Sequence, residues 1–191
     1  MLEKGAQARR ERMDREGAQE RTPPWGRAEL GRTREVFHLE GRRDLRDAVL
    51  ALVRQARRGL TLHTPDLDPF LYGHPELVEA VQALCLRGPR VQVRILLEDC
   101  TGAVRDGHRL VELAHRLPSR LRILRPEERH LPMEEEYLVA DGVGLLHRQL
   151  AARHGGRLCF HGPLEARRLE AAFEERWQIA EPHLDLRRLH L

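Results

Sequence analysis

The stretch LTLHTPDLDPFLYGHPELVEAVQALCLRGPRVQVRILLED (residues 60–99) decides the fold. It begins with the short apolar run LTLHT, which is typical of a buried strand, and ends with VQVRILLE (91–98), the strongest strand pattern in the chain. Between the two runs, Pro75 begins a segment whose apolar residues recur at helical spacing. Gly88-Pro89 ends that helix. The stretch therefore predicts a strand, a loop, a helix and a second strand.

The same alternation continues on both sides of this stretch. The other predicted elements are, in order, strand 34–39, helix 45–58, helix 106–117, strand 121–125, two strands joined by a tight turn at Asp141-Gly142, strand 157–162 and helix 163–180. Gly59 is expected to end the helix before it, and 65–73 is expected to be a loop. This order predicts an α/β domain with a mixed sheet flanked by helices.

Length and composition divide the chain into a tail and one domain. The 191 residues, 41% of them hydrophobic, suffice for one domain with a core of ordinary size. Residues 1–33 are rich in Arg, Glu, Gln and Gly and contain almost no apolar residue before Trp25. They are therefore predicted to form a disordered charged tail, and 34–191 the folded domain.

Charge and cysteine content narrow the classes of protein to consider. The chain has 33 basic and 30 acidic residues, and Lys4 is its single lysine. A chain whose basic and acidic residues are this nearly balanced does not indicate a large basic nucleic-acid-binding face. Three widely spaced cysteines without a zinc-ligand rhythm are expected to be reduced thiols, which favours a cytoplasmic location. Neither a signal sequence nor a membrane-spanning run is apparent, so no membrane insertion is expected.

Several strings, in this order, resemble the single-motif form of the phospholipase D-like superfamily. RGPRVQVRILLED (87–99) resembles that family's arginine-glycine turn into a central strand ending in an acidic residue, here Asp99. EEEYLVADG (134–142) aligns with the family signature HxKxxxxDG, and FEERW (173–177) resembles the usual Phe and Trp of its last helix. The resemblance covers roughly residues 34–180. It implies a phospholipase D-like α/β fold and a two-fold homodimer, because single-motif members bring two motifs together across an interface.

The signature itself departs from the family pattern. Glu134 stands where the family has its nucleophilic histidine, and Glu136 stands where it has lysine. Of the signature, only Asp141 and Gly142 match. The glycine-serine that normally follows is replaced by Arg148-Gln149.

These replacements bear directly on the family's reaction. The histidine attacks phosphorus, and the lysine offsets charge on the transferring oxygens. Two glutamates would instead place negative charge against a phosphodiester. The resemblance therefore implies no catalytic residue, no cofactor and no metal. Glu134 and Glu136 are expected to be solvated remnants of an active site, so that replacing either with alanine leaves stability nearly unchanged.

Other polar residues are candidates for lining a pocket. His63, Asp66 and Asp68 follow a predicted inner strand, at the end where open α/β sheets place ligands. The alternative is that Asp66 and Asp68 only shape the turn beside the neighbouring prolines. The remaining candidates lie at a strand end or flank the altered motif: Asp99, His130 and His147.

Three functions remain open on the sequence. The first is a catalytically inactive phospholipase D-like domain that acts as a binding or protein-interaction module, with an unidentified protein partner. The second is a phosphodiesterase or nuclease that uses an altered nucleophile, such as His130 or His147, or a metal acquired by the acidic motif. The third is a nucleic-acid-binding accessory protein. A phosphate-containing ligand or nucleic acid is permitted by the arginine content but is not indicated by it.

Overall fold

A computed structural model describes residues 22–183 and Leu186. Fifteen elements are present in this part of the chain. In order they are β1 (Val36–Glu40), α1 (Gly41–Gln55), β2 (Gly59–Thr64), α2 (Pro69–Tyr72), α3 (Pro75–Leu86), β3 (Gln92–Leu97), α4 (Thr101–Arg105), α5 (Arg109–Arg116), β4 (Leu121–Arg125), a 3-10 helix (Glu128–His130), β5 (Glu136–Ala140), β6 (Gly144–Arg148), β7 (Gly155–Cys159), α6 (Pro163–Trp177) and β8 (Glu181–Pro182).

The eight strands form one mixed sheet in the order β1-β7-β6-β5-β2-β3-β4-β8. β2, β3 and β4 run parallel to one another, and every other neighbouring pair is antiparallel. The predicted mixed sheet of an α/β domain is confirmed. No helix in the described part of the chain is long and apolar enough to cross a bilayer.

Helices cover the two faces of the sheet unequally. α1, α3 and α5 pack on one face through residues such as Leu45, Leu84 and Leu113. α6 packs on the other face through Ala166, Leu169 and Phe173. Because side chains alternate along a strand, neighbouring residues of the central strands enter different cores. The three cysteines are buried and unbridged.

The structure corrects the predicted start of the folded body. Trp25 is buried, and its ring meets that of Phe37 edge-on at 6.1 Å. The backbone N–H of Gly31 donates to the carbonyl of Phe160 at 2.8 Å. Residues 22–33 therefore pack on the domain instead of belonging to a disordered tail, because Trp25 brings more apolar area than its charged surroundings suggest. The rest of the predicted tail, 1–21, lies outside the described residues.

Three predicted boundaries also change. The loop 65–73 contains the short helix α2, which Asp68 caps by accepting the Phe70 N–H at 2.9 Å. The helix predicted over 106–117 is the shorter α5, and the segment before it contains the short helix α4, which was not predicted. α1 ends at Gln55, and Gly59 begins β2 instead of ending that helix.

Candidate functional site

Glu136, in the segment that resembles the phospholipase D-like signature, forms a buried ion pair with Arg148. They are direct cross-strand partners on β5 and β6. An Arg148 Nη1 atom lies 3.0 Å from Glu136 Oε1, and the two side chains are only 5% and 2% exposed. The prediction that Glu136 is solvated is therefore wrong, because Arg148 brings a compensating charge to the same face of the sheet.

The buried carboxylate has two further donors. The Tyr72 hydroxyl donates to Oε1 at 2.5 Å, and the Thr64 hydroxyl donates to Oε2 at 3.1 Å. Burial raises the pKa of Glu136, and the Arg148 charge together with the donated hydrogen bonds opposes that rise. Arg148 also donates to the carbonyls of Ala151 and Arg153. Both charges are thus held by fixed partners.

A cleft of about 560 Å³ lies over this ion pair. Glu134, at the position of the family's histidine, is exposed and lines the cleft, as do Asp66 and Asp68. Asp68 is engaged, because it caps α2 and accepts two hydrogen bonds of 2.8 Å from Arg42. Burial raises the pKa of Asp66, and the neighbouring Asp68 charge raises it further. The cleft therefore presents carboxylates with no guanidinium free to bind an anion, since Arg148 is already paired.

A second polar cluster lies on the opposite face of the sheet, under α6. The His147 Nε2 atom lies 2.5 Å from Glu135 Oε1, and its Nδ1 atom lies 3.2 Å from Glu165 Oε1. His63 Nδ1 lies 3.1 Å from the Glu135 carbonyl, and the His63 ring stacks on Tyr137 with centroids 4.8 Å apart. Both histidines are 3% exposed. They are therefore part of the core below α6 and do not open into the cleft.

Burial, together with the nearby Arg176 charge, lowers the pKa of His63 to about 4. Between that value and the ordinary pKa of 6.5, the unfolded chain takes up a proton that the folded protein excludes. The contribution of neutral His63 to stability is therefore present above pH 6.5 and is lost as the pH falls towards 4.

We expect this loss to appear in a pH series of urea denaturation. Between pH 7 and pH 4.5, the free energy of unfolding of His63→Gln should fall by about 2 kcal/mol less than that of the unsubstituted protein. Glutamine retains a polar group but does not titrate, so it removes only the proton uptake. Equal losses in the two proteins would show that the acid sensitivity comes from other groups.

The remaining predicted pocket residues lie elsewhere. Hydrogen bonds from the Thr101 side chain and from its N–H, the latter at 2.8 Å, lower the pKa of Asp99. Asp99 lines a separate cleft of about 750 Å³ with Glu98 and Arg125. His130 is half-buried at the end of the 3-10 helix. The six candidates therefore divide among two clefts, the second polar cluster and a half-buried turn, and they do not line one pocket. Asp66 and Asp68 alone share the cleft over Glu136.

Asp141, in the segment that resembles the family signature, binds backbone N–H groups of a neighbouring loop. Its carboxylate accepts the N–H groups of Arg57, Arg58 and Gly59 at 2.7 to 3.1 Å. Its φ of 55° and the φ of 69° at Gly142 lie in the left-handed region, which aspartate and glycine tolerate better than most residues. Asp141-Gly142 therefore fixes the loop before β2 to the β5–β6 turn. In the described residues, no group of three or more His, Cys, Asp or Glu is arranged to hold a metal ion.

The residues that sequence reasoning missed are Tyr72, Thr64 and Arg148 in their role as partners of Glu136. Both Tyr72 and Thr64 are distant from Glu136 in sequence. Thr64 meets it because β2 pairs with β5, and Tyr72 reaches it from α2. The register of the β5–β6 hairpin is the signal that identifies Arg148.

Solved structures of three proteins have a similar fold. Nuc from Salmonella typhimurium, a phospholipase D family member, matches with a TM-score of 0.57 and 14% identity over 78% of this chain and 99% of Nuc. NucT from Helicobacter pylori matches with a TM-score of 0.57 and 10% identity over 78% of this chain and 98% of NucT. TrmBL2, an archaeal chromatin protein with a novel mode of DNA binding, matches with a TM-score of 0.62 and 19% identity over 95% of this chain and 69% of TrmBL2.

The fold is thus that of phospholipase D family structures. A search of the curated proteins gives no match. Residues 41–189 match the model of the family described as "Domain of unknown function (DUF7931)". Because that match spans more than half of the chain, the protein belongs to the DUF7931 family.

Proposed function

We propose that this protein is a phospholipase D-like domain that has lost the family's phosphodiester chemistry and acts by binding. The observation that carries the proposal is the buried Glu136–Arg148 pair. When the chain is aligned with the phospholipase D-like signature, Glu136 stands in place of the lysine that would offset charge on a phosphoryl group. Arg148 stands in place of a small glycine. The two opposite charges neutralise each other, and the two side chains occupy the site themselves.

The surroundings of the pair support a non-catalytic role. A phosphoryl-transfer site of this family needs an accessible histidine, and the residue at that position is Glu134. The nearby His147 is buried and engaged by two carboxylates beneath α6. A carboxylate at Glu134 would repel the phosphate that the family's reaction requires.

The cleft over the pair supports binding of a partner that carries positive charge. Its lining combines the carboxylates of Glu134 and Asp66 with apolar surface from Met133 and from Leu150, which is 42% exposed. A floor held by fixed hydrogen bonds would lose little entropy when a partner binds. A protein segment with an exposed lysine or arginine fits this surface better than a phosphate-containing ligand does. TrmBL2, whose fold is similar, is described as a DNA-binding protein, so a binding role has a precedent in this architecture.

The proposal is tested by an activity assay. We expect purified protein to leave bis(p-nitrophenyl) phosphate and single-stranded DNA uncleaved, with chelator and with added magnesium or manganese. A phospholipase D family nuclease in the same assay provides the positive control. The measurement is release of p-nitrophenol and of acid-soluble nucleotide.

Single-residue variants test the alternative that the protein is an enzyme. Turnover that is lost in His147→Ala or His130→Ala would establish an enzyme with an altered nucleophile. Turnover that requires the added metal and is lost in Glu134→Ala would establish a metal-dependent phosphodiesterase. Either result would overturn the proposed function.

A further inference from the structure

Arginines collect at the end of the sheet opposite the cleft. The loops that lead into the parallel strands β2, β3 and β4 are residues 56–58, 87–91 and 117–120, and they contain no Asp or Glu. Their arginines, named here the arginine rim, are Arg57, Arg58, Arg87, Arg90 and Arg120.

The strand register places these loops side by side. Gly59 on β2 pairs with Gln92 on β3, and Val93 on β3 pairs with Leu121 on β4. Arg57 and Arg90 each lie two residues before a member of the first pair, and Arg120 lies one residue before Leu121. Because neighbouring strands are about 4.8 Å apart, the rim forms a row across three adjacent strands.

The charge of the rim is not neutralised within the described structure. None of the five arginines forms an ion pair with a described residue. Arg57, Arg58, Arg87 and Arg90 are exposed, and Arg120 is half-buried.

Nearby groups supply too little negative charge to balance the row. The carboxylate of Asp141 is already engaged by three backbone N–H groups, and Glu170 lies near Arg58. The carboxyl ends of α1, α3 and α5 contribute about half a negative charge each. Together these groups offset more than half of the rim's five positive charges and leave a net positive charge at this end of the sheet.

The opposite end of the same strands is acidic. The loops that follow β2, β3 and β4 carry six exposed or half-buried carboxylates: Asp66, Asp68, Glu98, Asp99, Glu127 and Glu128. Asp68 pairs with Arg42 and Glu127 pairs with Arg129, whereas the other four form no ion pair among the described residues. A formal net charge of only +3 therefore conceals a separation of charge along the strand direction. A polyanion would be attracted to one end of the sheet and repelled from the other.

We propose that the arginine rim is a binding surface for the phosphate backbone of nucleic acid. Each guanidinium presents a planar fork of donors that matches a phosphate with two hydrogen bonds. A row of such groups suits a chain of regularly spaced phosphates. Leu86 is the one large exposed apolar residue of the described chain beside these loops, so insertion into a lipid surface has little support.

Fixed hydrogen bonds hold the loops of the rim in place. Asp141 accepts the backbone N–H groups of Arg57 and Arg58, which fixes the path of the loop that presents both side chains. The Arg120 guanidinium donates to the carbonyl of Pro89, which ties the second loop to the third. Binding would therefore cost little ordering of the backbone. This surface is separate from the cleft, so the inference adds to the proposed function and does not depend on which partner the cleft binds.

The test uses the full chain and a fluorescein-labelled 20-base-pair DNA duplex in fluorescence anisotropy. The test variant combines Arg57→Gln, Arg87→Gln and Arg90→Gln, since these side chains make no hydrogen bond or ion pair described above. The matched control combines Arg34→Gln, Arg109→Gln and Arg167→Gln, three exposed arginines outside the rim. Both variants lose the same net charge, and circular dichroism checks that both are folded.

We expect the test variant to bind the duplex at least about tenfold more weakly than the unsubstituted protein at 50 mM salt, with the control within about twofold. The slope of log affinity against log salt should become shallower by about 2 to 3 for the test variant, because each phosphate contact contributes about 0.9. Equal weakening in both variants would show a nonspecific charge effect and overturn the inference. So would absence of binding, or binding to vesicles of anionic phospholipid without binding to the duplex. None of these outcomes bears on the phosphodiesterase assay, so the two proposals can fail separately.

Discussion

Replacing Glu136 with alanine is expected to destabilise the protein by about 3–5 kcal/mol, because the substitution leaves the charge of Arg148 buried and without its carboxylate. The Tyr72 hydroxyl loses its acceptor at the same time, whereas the Thr64 hydroxyl still has the carbonyl of Asp66 as an acceptor. The free energy of unfolding from urea denaturation, monitored by circular dichroism, measures the loss. A cost of this size is a large share of the 5–15 kcal/mol that usually stabilises a domain.

Two companion variants make this prediction specific. Glu134→Ala changes an exposed carboxylate two residues away and should alter stability by no more than about 0.5 kcal/mol. The double variant Glu136→Leu, Arg148→Met removes both charges and should recover much of the stability lost in Glu136→Ala, since apolar replacements of buried ion pairs are often tolerated. If Glu136→Ala were as mild as Glu134→Ala, the buried pair would not be a structural element of the fold.

The second large effect is expected at Phe173, where alanine should cost about 3–5 kcal/mol. Phe173 is fully buried between α6 and the sheet, and its removal leaves a cavity in the smaller of the two cores. Because α6 is the one described helix that packs on this face, no neighbouring helix can close the gap. Thermal or chemical unfolding measures the change.

Trp177 serves as the comparison, since it belongs to the same helix and is only partly buried. Its ring stacks on Phe173 at 5.3 Å and carries the guanidinium groups of Arg94 and Arg122, each 5.5 Å from the ring centroid. We expect Trp177→Ala to cost about 2 kcal/mol, from partial burial and two cation–π contacts. Leu164→Ala, at a position 80% exposed, should be neutral. A larger effect at Trp177 than at Phe173 would contradict the burial order of the two rings.

The sheet was predictable because its strands carry strong local patterns. The apolar runs at 60–64 and 91–98 fall on β2 and β3, and the pattern before Asp141 falls on β5. α2 and α4 were missed because helices of four and five residues do not complete two turns of apolar spacing. β8 has two residues, Glu181 and Pro182, and depends on pairing with β4 instead of on a pattern of its own.

The ion pair was not predictable from residue types alone, because it depends on one detail of the β5–β6 hairpin. A two-residue turn at Asp141-Gly142 would pair Glu136 with His147. The loop in fact has three residues, so Ala140 pairs with Gly144 and Glu136 pairs with Arg148. Loop length is set by backbone geometry around left-handed residues, and more than one length is compatible with Asp-Gly.

The positions of the two polar clusters follow the odd and even numbering of the central strands. His63, Glu135, Tyr137 and His147 are odd-numbered and belong to the cluster under α6, whereas Thr64, Glu136 and Arg148 are even-numbered and lie below the cleft. Inserting or deleting a single residue within β6 would exchange the faces of the side chains beyond that point and bury Arg148 beneath α6. Variation in strand length among members of the family should therefore occur in steps of two, or be absorbed at a bulge or loop.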